Sequence, residues 1–117
     1  MNGHTASMQR ISLEALARQQ IKQAATRGGG HTADTVFGGH EKILRQTVIG
    51  MIKGSHLGEH ASPGDATIHV LSGRVRLIVG SDSWDGRAGD LLILPGERHS
   101  VEALEDCAFL LTVAKGS

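Results

Sequence analysis

Two periods divide this chain. Between Ser12 and Arg27, Leu13, Leu16, Ala17, Ile21 and Ala24 recur at three- and four-residue steps with Glu14, Arg18, Lys22 and Gln23 between them, which predicts an amphipathic helix. Ser12 suits its N-cap and Glu14 its positive end, while Arg27 ahead of Gly28, Gly29 and Gly30 gives a basic last turn and a stop. From Ile43 the period falls to two: Leu44, Gln46, Val48, Gly50 and Ile52 alternate with Ile43, Arg45, Thr47, Ile49 and Met51. Both sets are largely apolar, so the strand is expected to be buried on both faces, in a sandwich or where a barrel wall is also a subunit contact.

Further short strands are expected at about 57–61, 66–71, 74–79, 90–94, 99–103 and 107–114, each bounded by turn residues. Leu71-Ser72-Gly73-Arg74 reads as a hairpin turn with Gly73 at positive φ, and Gly80-Ser81-Asp82 and Trp84-Asp85-Gly86 read as two more turns. The pattern predicts an all-β jelly-roll barrel with one N-terminal amphipathic helix. Residues 1–41 form an arm, the helix and a Gly-rich linker over 28–41, and residues 42–117 form the barrel. The helix is expected as a lid packed on a sheet.

Composition narrows the function. A length of 117 residues allows one core, and sixteen glycines against two prolines suit many turns. Twelve basic and twelve acidic side chains balance, so no global field favours nucleic acid or an anionic membrane. Phe37, Trp84 and Phe109 are too few to form a base-stacking platform, which also argues against nucleic acid. No run reaches the roughly 20 apolar residues of a membrane span. The lone Cys107 lies in the apolar run CAFLLTV and reads as a small buried hydrophobe, which fits a reducing cytoplasm.

The chemistry gathers in two segments, GSHLGEHASPGDATIHVLSG from Gly54 and GDLLILPGERHSV from Gly89. The first resembles the first motif of the cupin family, G-x5-HxH-x3,4-E-x6-G: Gly54, His60, position 62, position 66 and Gly73 fall at the family's intervals. Ser62 and Ala66 stand where the second His and the Glu belong. The second resembles G-x5-PxG-x2-H-x3-N through Gly89, Pro95, Gly96 and His99, one residue short between Pro95 and Gly96 and with Ala103 at the Asn position. The resemblance spans about residues 43–114. It implies a double-stranded β-helix, a homodimer, and a ligand pocket at His60 and His99.

The residues allow two chemistries at that pocket. His60, Ser62 and His99 can bind a small molecule by hydrogen bonds and charge, for which a hydroxyl is well suited. Alternatively, His60 and His99 hold a divalent transition metal (Zn, Fe, Mn or Ni) with His56, Asp65 or His40 as third donor, giving a dioxygenase, isomerase or decarboxylase. On a straight strand His56 shares the face of His60, whereas Asp65 and His69 point outward. His31 and His40 lie in the linker, where a solvated loop histidine is the default, and Arg98 can add charge at the rim. There is no G-x-S-x-G elbow, P-loop, CxxC or HExxH.

Overall fold

The computed structural model describes residues 8–61 and 64–116. Its elements are α1 (Leu13–Thr26), β1 (His31–Phe37), β2 (Leu44–Met51), β3 (His56–His60), β4 (Gly64–Ser72), β5 (Arg74–Val79), β6 (Asp82–Arg87), β7 (Leu91–Leu94), β8 (His99–Ala103) and β9 (Cys107–Lys115). The strands form two antiparallel sheets, five-stranded β1-β2-β9-β4-β7 and four-stranded β3-β8-β5-β6. Alternation sorts the side chains: Ile49, Met51, Ile68, Val70, Leu77, Val101, Phe109 and Val113 face inward and fill the barrel. The expected all-β jelly roll with one helix is what the chain forms.

α1 starts as its sequence requires, with Ser12 Oγ accepting the Ala15 amide at 3.1 Å. It packs on the outer side of the five-stranded sheet, over β1, β2 and β9. The approach is close because small residues line it: a Cβ on Gly50 would lie 2.5 Å from the Gln20 carbonyl. Thr32 Oγ1 donates to that carbonyl oxygen at 3.0 Å. The buried stripe is Ala17, Gln20 and Ala24, so a polar residue sits at its centre, and Gln20 Oε1 is buried without a partner among the described residues.

Three expectations need correction. Residues 31–37, expected within a linker, form β1, an edge strand paired with β2; only Thr32 is buried, so the run carries no apolar alternation to announce it. The turn expected at Gly80-Ser81-Asp82 closes the β5–β6 hairpin, but the one expected at Trp84-Asp85-Gly86 is replaced by β6, another edge strand, with Gly86 its sole buried residue. The strand from Ile43, expected to bury its second face in a sandwich or at a subunit contact, buries Ile49 and Met51 in the core and turns Val48 and Gly50 toward α1. Gly73 does take a positive φ of 75°, and a Cβ there would meet the Asp106 carbonyl oxygen at 2.1 Å.

Candidate functional site

His60 ends β3 and His99 begins β8, and these two residues pair across the ladder. Their ring centroids are 4.8 Å apart at an interplanar angle of 57°. His99 is among the most buried side chains, while His60 is exposed, so the pair forms a step from the packed interior to the barrel mouth. His60 Nδ1 lies 2.8 Å from the Gly58 carbonyl oxygen, and His99 Nδ1 lies 3.1 Å from that of Glu97. A carbonyl only accepts, so each Nδ1 carries the proton and donates. In the neutral rings the lone pair is then on Nε2.

A bulge brings the rings together. Leu57 pairs with Val101 and His60 with His99, so Gly58 and Glu59 together oppose Ser100 alone. The extra residue re-phases the strand and puts His60 on the inward face that Leu57 also shares. His60 Nδ1 takes up the Gly58 carbonyl, and Arg98 Nη2 donates to the Glu59 carbonyl at 3.0 Å, so both carbonyls of the bulge are satisfied by side chains. Arg98 Nε also reaches Glu59 Oε1 at 3.4 Å. Arg98, expected to lend charge at the rim, instead braces the strand that carries His60. Gly58, a glycine inside a strand, was the one sequence sign of this irregularity.

The same bulge corrects a candidate. His56 pairs with Glu102 on the outer face, so it does not share the side of His60 as straight alternation implied. Asp65 and His69 alternate with the buried Ala66, Ile68 and Val70 and point away from the interior, as expected. Asp65 is therefore no third donor. His40 is exposed in the turn between β1 and β2, where it lines a separate hollow with Lys115, and His31 lies at the other end of the sheet opposite Met51. Ser62 falls outside the described residues. Burial pushes the Cys107 thiol up to about 12, with Asp106 and Glu105 adding to the shift, so it is not a nucleophile near neutral pH.

Residues 47–113, more than half of the chain, match the Cupin_2 cupin domain. The chain belongs to the cupin family. A search of curated proteins finds no match. Among solved structures, this cupin is similar to a conserved protein of unknown function from Streptococcus pyogenes, with 28% identity, TM-score 0.69, and 78% of this chain and 79% of that one covered. It is similar at 27% identity and TM-score 0.68 to a cupin 2 conserved barrel protein from Leptotrichia buccalis, covering 76% of this chain and 43% of that one. A cupin superfamily protein from Desulfitobacterium hafniense shares the fold at 14% identity, TM-score 0.69, with 77% and 82% covered.

Many cupins hold a metal, and the donor set here can be tested against one. Two imidazoles with free Nε2 lone pairs suit a transition metal, but Ala66 offers no donor and the outward parity of His56 and Asp65 removes the candidate replacements. Among the described residues no group of three His, Cys, Asp or Glu could hold a metal ion. The described residues do not fit the family's standard metal centre.

Proposed function

We propose that this cupin binds a small molecule at its mouth through His60 and His99, by hydrogen bonding and charge, without a complete standard metal site. The observation that carries this reading is the ring pair itself: two imidazoles 4.8 Å apart, each anchored at Nδ1 by its own strand, with Nε2 left for a ligand. Neutral, each Nε2 accepts a hydrogen bond; protonated, it donates one with a positive charge and keeps its Nδ1 anchor. The larger hollows on the molecule lie elsewhere, so the ligand is expected to sit against the mouth and not deep within the packed core.

The anchoring also favours a second reading, a metal-dependent enzyme with a reduced site, because a ligating imidazole commonly donates its other N–H to a carbonyl. One titration separates the two. Ring signals of His60 and His99 are followed by NMR from about pH 8 to about pH 5 with inorganic phosphate and, separately, with zinc. Under the binding reading, phosphate affinity rises as the imidazoles gain protons in acid. Tight zinc binding that weakens in acid would favour the enzyme, since a ligating nitrogen must be unprotonated. Replacing both histidines by alanine is expected to abolish binding and leave the fold intact.

We further infer a homodimer through the outer face of the five-stranded sheet, where Phe37, Leu44, Leu91 and Ile93 are exposed beside α1. The buried free thiol supports a reducing cytoplasm as the setting. Among the described residues no helix is long and apolar enough to cross a membrane.

A further inference from the structure

Opposite the histidine pair, the five-stranded sheet contributes a residue that the two sequence motifs do not contain. Ile49 and Met51 of β2 face the core, so Thr47 and Arg45 share that inward face by alternation. Arg45 pairs with Val113, and Val113 with Ala66, which in turn pairs with Leu94. The four therefore form one inward row across the sheet. This row lies at the end where β3 finishes, where β4 and β8 begin, and where β9 ends beside Gly64. Ala66, the position where the family motif carries its acid, belongs to this row, so Arg45 is the only charged residue in it.

Arg45 as a whole residue is half-buried, and its guanidinium makes neither a hydrogen bond nor an ion pair with a described residue. The neighbouring cation behaves otherwise. Lys115 shares the inward parity of Val113, yet its Nζ donates to the carbonyl oxygens of Gly39 and His40. Among the described side chains, Asp82 opposite Val79 is an inward carboxylate near this end, but it sits exposed on edge strand β6, two strands from His99. A partly buried cation gives up part of its hydration, which a bound anion can replace. Facing sheets lie about 10 Å apart. Arg45 on one wall and the histidine pair on the other stand at the same end of two facing sheets.

We propose that Arg45 is the cationic anchor of this site and that its ligand is a small organic anion, a carboxylate or a phosphate ester. The proposal rests on the histidine-pair reading and adds to it the class of ligand. The guanidinium fork binds such a group bidentately, and the histidine Nε2 atoms meet it from the opposite wall.

The test titrates inorganic phosphate and oxalate into the wild type, Arg45→Gln, Arg45→Lys and the His60→Ala/His99→Ala double variant, following ring and guanidinium signals by NMR. In the wild type both anions should shift Arg45 and the two histidines together and saturably. Arg45→Gln should weaken both by about tenfold or more, the loss of a charge-assisted contact. Arg45→Lys should recover part of that affinity, and oxalate should lose more than phosphate where bidentate geometry matters. Unchanged affinity in Arg45→Gln, or no Arg45 shift in the wild type, would overturn the proposal while the histidine reading stands. Loss in Arg45→Gln with full binding by the double histidine variant would sink the histidine reading and keep Arg45.

Discussion

The two sheets present opposite exteriors. On the four-stranded sheet, His56, Glu102, Arg76 and Asp85 run across three ladders as one outward row. Arg76 meets Asp85 at 2.8 Å, and Arg74 reaches both Asp85 and Glu105. Among the described residues, four of the five ion pairs lie on this sheet or its mouth, which marks a surface made to face water. The outer face of the five-stranded sheet carries none of them. It has Thr32, Gly50 and Ala108 under α1, and beyond the helix Phe37, Leu44, Leu91 and Ile93. Both exteriors alternate with the same core, so it is the outward half of each strand that says whether a sheet is to be covered.

The covered half should be the fragile one. Gly50→Val places methyl groups where the Gln20 backbone runs, and should cost about 3 kcal/mol or more as α1 is forced away. Urea denaturation reads the loss, and faster proteolysis within residues 13–26 reads its location. A wild-type midpoint would show that the helix packs loosely. The open half should hold a second copy: Leu91→Lys with Ile93→Lys is expected to lower the mass by light scattering from twice 12.3 kDa to 12.3 kDa. A wild-type protein that is monomeric at high concentration would end the dimer reading.

Smaller effects sharpen the contrast. Gln20→Met removes the unpartnered amide oxygen beneath α1 and should stabilise by about 1 kcal/mol, read by the same denaturation. No gain would mean that the amide finds water. On the charged sheet, hydrogen bonding to Arg76 holds the Asp85 carboxyl below its ordinary value. The unfolded chain therefore binds more protons in acid. The stabilisation is present above the unfolded value, about 3.9, and is lost as pH falls through the folded value. Asp85→Asn should flatten that part of the pH profile only slightly, because the pair is solvent-exposed. An acid limb identical to wild type would leave this pair without energetic weight.

What could be read from the sequence followed burial. α1, β2, β4, β5 and β9 carry apolar residues at the period of their element, and the turn at Gly73 carries its glycine, although it passes the chain from one sheet to the other instead of closing the expected hairpin. β1 and β6 are edge strands that bury one residue each, Thr32 and Gly86, so their segments look like turns. At the site, the resemblance to the two cupin motifs implied that His60 and His99 form a pair. Parity failed for His56 because the two-for-one count at Gly58 and Glu59 depends on side chains from both strands, among them Arg98. The inward position of Arg45, on which the anion proposal rests, stayed hidden because one inward arginine in a strand that is apolar on both sides breaks no period.

The bulge in β3 decides which ring nitrogen of His60 is held. Deleting Gly58 would leave one residue opposite Ser100, so Glu59 would face Ser100 and His60 would still pair with His99 on the inward side. What the deletion takes away is the Gly58 carbonyl that His60 Nδ1 meets. The proton of that ring should then be free to sit on either nitrogen, and the His60 ring-nitrogen shifts by NMR in the deletion variant would tell. Barrels of this kind can therefore keep an inward residue pair through a change in strand length and still alter its chemistry, which a comparison of residue identities alone would miss.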